Sequence, residues 1–207
     1  ESRIAEQVAN VKTTSLEAYK YYILGIENLA KLYHREAIPN LRKAIQIDST
    51  FSHAYAALAN AYDVLGEKSL AEDVVQKALR FSSKLSEVEQ LRIFLRSAQI
   101  KSNWDMELNY LKRLVMLQPN EAIWHFYLGW HYDIHKRDYG QGISEFRKAI
   151  EIDSVSETKY YYYLGYAYID AMQYDEALKT FNKLLSIRVK DASSHDALGT
   201  VYLMKWD

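Results

Sequence analysis

The sequence predicts an all-α chain: antiparallel helical hairpins stacked into a right-handed superhelical solenoid. Two recurring tracts and the spacing between them carry that reading. The first tract is Tyr21-Tyr22-Ile23-Leu24-Gly25, seen again as Phe126-Tyr127-Leu128-Gly129, Tyr161-Tyr162-Tyr163-Leu164-Gly165 and Asp196-Ala197-Leu198-Gly199. A fifth version, Tyr55-Ala56-Ala57-Leu58-Ala59, replaces Gly by Ala. The second tract is Ala37-x3-Leu41-x2-Ala44, repeated as Ala71-x3-Val75-x2-Ala78 and Ala177-x3-Phe181-x2-Leu184. Leu24 to Leu58, Ala37 to Ala71 and Leu164 to Leu198 are each 34 residues apart. Self-similarity at a fixed period of this size marks a repeat architecture. No sustained apolar/polar alternation bounded by turn signals argues for a strand.

Taken in order, an N-terminal extension covers 1–15, with Ile4, Val8 and Val11 at helical spacing over a possible extra turn from Ser2 to Val11. Repeats follow at about 18–51, 52–85, 88–121, 122–157 and 158–191, with a half repeat at 192–207. Together they make eleven helices. The third repeat is the most degenerate, with Glu107 where a small residue is usual. Two extra residues precede it, and about one extra sits in the turn of the fourth near Arg137-Asp138. No Ser/Gly/Pro-rich linker interrupts the chain, so 1–207 reads as a single domain.

Thr14-x-x-Glu17, Ser69-x-x-Glu72, Ser86-x-x-Glu89 and Ser154-x-x-Glu157 read as capping boxes that start helices. Gly25, Gly129, Gly165, Ala44, Ala78 and Ala149 stand where two helix backbones should approach most closely. Leu24, Tyr55, Leu128, Phe146 and Phe181 should fill the space beside them. A glycine within a helix costs about 1 kcal/mol against alanine, so its recurrence implies a steric need. The last helix carries Leu198, Val201 and Tyr202 as a stripe that expects a partner helix. The sequence begins at Glu1 without an initiator Met and stops within a repeat, and we read it as a piece of a longer protein.

These tracts and their period resemble the tetratricopeptide repeat, W-x2-L-G-x2-Y…A-x3-F…P. Tyrosines three residues after the Gly or Ala recur as Tyr62, Tyr132, Tyr168 and Tyr202. The resemblance implies a groove lined by the first helix of every hairpin, holding a peptide or protein segment. It places Tyr22 and Ile26, then Ala56, Asn60 and Asp63, then Arg92, Arg96 and Gln99 in that groove. Phe126, Trp130 and Asp133 follow, and then Tyr162, Tyr166 and Asp170. Arg92 and Arg96 should form a basic pair, and Phe126, Trp130, Tyr162 and Tyr166 an aromatic patch. The Lys/Asn arrangement by which chaperone-binding members clamp a C-terminal carboxylate is not reproduced: Asn60 matches one element, while Ala56 and Ile26 depart from it. The opening Thr13–Tyr22 and the connection Arg80–Ser86 also resemble repeat regions beside kinase, adenylate-cyclase or regulator domains in bacterial signalling proteins.

Composition narrows the function. Hydrophobic residues are 49% and charged residues 26% of 207, a globular balance. A formal charge of −1, and Asp63, Asp133 and Asp170 in the groove, argue against nucleic acid, which needs a basic stripe. Apolar runs are short and broken by charge, so no segment inserts in a membrane. Cysteine is absent, which removes disulfides, thiolate metal sites and a cysteine nucleophile. It leaves the compartment open between bacterial cytoplasm and periplasm.

His131 and His135 lie four apart on one helix, with His125 six before, but Tyr132 stands where a zinc protease motif needs Glu. We expect no metal site, and packing or surface roles for these and for His34, His53 and His195. Gly140-Gln141-Gly142 is a turn without a following Gly-Lys-Ser/Thr. No nucleophile, base and oxyanion group converge, so no catalytic residue and no cofactor is expected. The expectation is a non-enzymatic interaction scaffold, the alternative being self-association through the last helix.

Overall fold

The computed structural model describes residues 13, 15–153, 158–187 and 192–206. Among these residues there are eleven α-helices and no strand. The chain divides into two compact units, Glu1–Tyr110 and Leu111–Asp207. The extension from Ser2 to Val11, Thr14 and the proposed cap at Ser154–Glu157 lie outside the described residues.

The first unit holds α1 (Leu16–Ala30), α2 (His34–Ile47), α3 (Ser52–Val64), α4 (Lys68–Arg80), a 3₁₀ turn (Ser82–Lys84) and α5 (Glu87–Ile100). Helix α6 (Trp104–Leu117) runs through the point of division. The second unit continues with α7 (Ala122–His131), a π-helical turn (Tyr132–Lys136), α8 (Tyr139–Ile152), α9 (Lys159–Asp170), α10 (Tyr174–Ile187) and α11 (Ala192–Trp206).

The hairpins close by a shared device. Leu32, Gly66, Ser102, Arg137 and Met172 each adopt φ between 52° and 78° in the turn between the two helices. The next amide then folds back onto the preceding helix, as in Tyr33 N–H to the Asn28 carbonyl and Gln173 N–H to that of Tyr168. This left-handed C-terminal cap satisfies carbonyls that the helix end leaves open. In the fourth hairpin the returning bond, Asp138 N–H to the Tyr132 carbonyl, spans one more residue than in the others. The extra residue seen in the sequence is absorbed by the π turn at Tyr132–Lys136.

Helix starts are only partly as expected. Ser86 and Glu89 form a reciprocal capping box on α5. Ser15, not Thr14, caps α1 and accepts from the Ala18 amide. Ser69 lies inside α4, whose N-cap is Glu67 without a side-chain bond.

Each unit stacks its hairpins through an apolar interior. In the first, Ala37, Leu41, Leu58, Ala59, Ala71 and Val75 form one buried cluster. Arg42 reaches across to donate to the Tyr62 hydroxyl at 3.0 Å. In the second, Phe146 and Phe181 are fully buried and join α7 to α11 through Phe126, Tyr160, Leu164 and Val201. His125 ties α7 to α8 by a 2.6 Å contact of Nδ1 with Glu145, while its Nε2 lies 3.0 Å from the Pro119 carbonyl. Glu145 also pairs with Lys148 at 2.8 Å.

The small positions divide by what they face. A Cβ on Gly129 would stand 3.0 Å from the Gly142 carbonyl and from the Phe146 ring, a true backbone approach. A Cβ on Gly25 would stand 2.6 Å from Leu41, and one on Gly165 would overlap the Phe181 ring. These two glycines admit a large side chain, not a neighbouring backbone, and Gly199 meets nothing within 4 Å. Leu24 is 47% exposed and so is not a core residue. Its counterpart Leu58 packs on the preceding hairpin, and among the described residues none precedes α1. The stripe on α11 is also less open than expected: Val201 is fully buried and Leu198 is packed on the core, while Tyr202 remains 59% exposed.

Candidate functional site

The first helix of each hairpin carries the residues singled out above, and each unit presents its own set. In the first unit Tyr22 is half-buried on α1, its ring 5.0 Å from Phe51 and 6.4 Å from Tyr19. Burial, and then Tyr19, push its hydroxyl up to about 12, with the nearby Arg92 charge opposing. Tyr22 on α1 and Arg92 on α5 therefore share a neighbourhood. Asn60 and Asp63 on α3 are half-buried, as is Arg96, while Arg92 is exposed. Arg92 and Arg96 are one helical turn apart on one face of α5. Ile26, Ala56 and Gln99 are half-buried beside them. Gln99 donates to Glu107 at 2.9 Å, and the buried Glu107 occupies the position where the repeat usually has a small residue.

In the second unit, Tyr162, Tyr166 and Asp170 recur every four residues along α9 and so lie on one face. The two tyrosine rings are 4.8 Å apart and lean on Phe181. Both are half-buried, and Asp170 at the helix end is exposed. Trp130 on α7 is half-buried and meets His135 edge-on at 5.1 Å. Phe126 corrects the expectation. It is 7% exposed and surrounded by Tyr127, Phe146, Tyr160 and Tyr163, so it belongs to the core and not to the aromatic patch. Its neighbour Tyr163, from the following hairpin, covers it.

Asp133 departs furthest from its sequence reading. It is 4% exposed, held in the π turn, and its Oδ1 is enclosed without a hydrogen-bond partner. Burial, and then the negative charge of Asp170, raise its carboxyl to about 6. The sequence signal for this was the extra residue near Arg137, because the π turn it forces places Asp133 inward, against Gly142. His131 and His135, four apart in sequence, bring their rings to 5.1 Å.

Between the second helices of this unit, Arg147, Ile150 and Glu151 of α8 and Lys179 and Lys183 of α10, with Tyr161 of α9, line an open cleft of about 330 Å³. No helix among the described residues is long and apolar enough to cross a membrane.

Paired helices closed by left-handed caps, with small residues admitting Leu41, Phe146 and Phe181, define a helical-hairpin repeat protein. Residues 158–189 match the family model described as tetratricopeptide repeat. With the 34-residue period and the fold, this shows a tetratricopeptide repeat at 158–189 within a chain of tetratricopeptide-type fold. It is 22% identical over 171 residues to Superkiller protein 3 of Schizosaccharomyces pombe, covering 80% of this chain and 12% of that protein. The chain thus spans about an eighth of that relative's length.

Among solved structures it is similar to a thermophilic tetratricopeptide protein of Thermus thermophilus, with TM-score 0.71, 16% identity and coverage of 90% of this chain and 99% of that one. It is similar also to YrrB, described as a tetratricopeptide protein with an unusual peptide-binding site, with TM-score 0.55, 21% identity and coverage of 94% and 96%.

Proposed function

We propose that this chain is a non-enzymatic scaffold that binds a peptide or protein segment on the face formed by the first helices of its hairpins. The observation that carries the reading is the row of half-exposed aromatics in the second unit. Trp130, Tyr162 and Tyr166 leave part of each ring at the surface above a core that is already complete. Aromatic rings and arginines are the residues most often found at the energetic centre of protein interfaces. In the first unit Arg92 and Arg96 provide a fork for a carboxylate or phosphate of the bound segment.

The likeness to YrrB, a protein described as having a peptide-binding site, supports the same use of the fold. The test is capture of a partner from source lysate, followed by titration of that partner against Trp130→Ala and against the Arg92→Ala/Arg96→Ala pair. Loss of affinity by about tenfold or more in either variant sustains the proposal. Affinity unchanged in both moves the site to another face.

A second reading is self-association. It is favoured by Tyr202, Leu203 and Met204 on α11, which are 59%, 73% and 46% exposed. Concentration-dependent mass by light scattering separates the two. Growth in mass that Leu203→Ser abolishes supports self-association, and a constant mass removes it.

A further inference from the structure

We propose that the connection Arg80–Leu85, together with the start of α3, forms a pocket for the phosphate group of a phosphomonoester. The site lies wholly within the first unit and goes beyond the peptide docking proposed above. Arg80, Ser83 and Lys84 from the connection, with Ser52 and His53 from α3, line a cavity of about 240 Å³. The two extra residues before the third repeat are taken up here by the 3₁₀ turn Ser82–Lys84, which Leu85 N–H closes onto the Ser82 carbonyl at 2.9 Å. The walls are fixed. The Ser52 hydroxyl donates to the Ala78 carbonyl at 2.7 Å, the Phe81 ring stacks 6.0 Å from Tyr55, and Leu85 is buried in the same apolar cluster.

The charge around this cavity is one-sided. Arg80 and Lys84 are both exposed at its edge, and Arg80 pairs with no carboxylate among the described residues. Asp48 and Glu89, which touch pocket residues, are committed to local turns. Asp48 accepts from the Thr50 hydroxyl at 2.8 Å and its amide at 3.0 Å. Glu89 accepts from the Ser86 amide at 2.8 Å and lies 3.4 Å from His53 Nε2. Helix α3 has Phe51 as its N-cap and no side-chain bond to its first amides, so its positive end adds to the same field.

These donors suit phosphate better than carboxylate. A guanidinium forks to two oxygens, an ammonium meets a third as a point charge, and the Ser83 hydroxyl supplies a neutral donor. A phosphomonoester presents three acceptor oxygens and close to two negative charges, where a carboxylate has two oxygens and one charge. The cavity is larger than the anion alone needs, and Phe81 and Leu85 give the body that carries the phosphate an apolar surface. That body is either a small molecule or a phosphorylated side chain.

The test is a ¹⁵N NMR titration of the intact chain at neutral pH and low salt. The probes are phenyl phosphate, benzoate, phenol and the capped peptides Ala-phosphoserine-Ala and Ala-Ser-Ala. Phenyl phosphate should shift the amides of Ser52, His53, Ser83 and Lys84 and bind about tenfold tighter than benzoate. Arg80→Gln and Lys84→Gln, both at exposed positions, should each weaken it by about tenfold. On the parent chain its affinity should fall about tenfold between about 20 and 200 mM salt, a reading that needs no variant. A phosphoserine peptide that binds tighter than phenyl phosphate assigns the phosphate to a polypeptide, and one that binds weaker assigns it to a small molecule; both uphold the pocket. Benzoate as tight as phenyl phosphate, phenol moving the same amides equally, or an affinity indifferent to salt and to both variants would overturn it.

Discussion

Replacing Asp133 by Asn should stabilise the protein at neutral pH and leave it unchanged in acid. The substitution keeps shape and removes the charge from a side chain that is 4% exposed. The Asp133 carboxyl is raised from an ordinary 3.8 to about 6, by burial first and by Asp170 second. Because the folded value lies above the unfolded one, the fold favours the protonated acid. Below about pH 3 the group is protonated in both states and costs nothing. As pH rises from about 4 to 6 the unfolded chain loses its proton while the folded chain holds on, and stability falls.

Above about pH 7 the full penalty is present. Two units correspond to roughly 3 kcal/mol, and solvent screening near the surface reduces this to about 1–2 kcal/mol. In a chain of this length that is a rise in Tm of about 2–8 °C for Asp133→Asn. Thermal melts followed by circular dichroism at pH 3 and 7.5 measure it. A variant equal to or below the parent at pH 7.5, or raised equally at both pH values, would refute the reasoning.

Other substitutions probe the packing. Gly129→Ala and Gly165→Ala should each cost about 1–3 kcal/mol by overpacking against the Gly142 carbonyl and the Phe181 ring, whereas Gly199→Ala, which meets nothing, should be neutral or stabilising, as urea melts would report. Met172→Gly, at φ 58° in the α9–α10 turn, should add about 0.5–1 kcal/mol by relieving left-handed strain, read as a higher denaturation midpoint. Ser86→Ala should lose about 1 kcal/mol with the capping box of α5, and hydrogen exchange in that first turn should speed up.

Much of the fold was legible because the repeat states it several times. The 34-residue spacing from Leu24 to Leu58 and from Leu164 to Leu198 located the hairpins, and Ala37, Leu41 and Ala44 marked the buried face of α2. What the pattern could not give was each residue's particular neighbour. Gly25 and Gly165 share the position of Gly129, yet only Gly129 meets a backbone, because Leu41 and Phe181 reach into the space left by the others. Phe126 occupies a nominal groove position, but the rings of Tyr160 and Tyr163 close over it. Four of the five hairpin turns use a non-glycine residue at positive φ, so the usual glycine signal was missing at Leu32, Ser102, Arg137 and Met172. The extra residue near Arg137 was visible in the sequence. Its consequence, the inward placement of Asp133, depends on how the π turn absorbs it.

The central claim is that ligands bind on the first helices and not on the second. Titration of the captured partner against two double variants tests this most directly. One is Trp130→Ala/Tyr166→Ala on the first helices, and the other is Arg147→Ala/Lys183→Ala in the cleft of the second helices. With both variants folded, the first should weaken binding by about tenfold or more and the second by less than about twofold. The reverse pattern would contradict the account and assign the partner to the second-helix face.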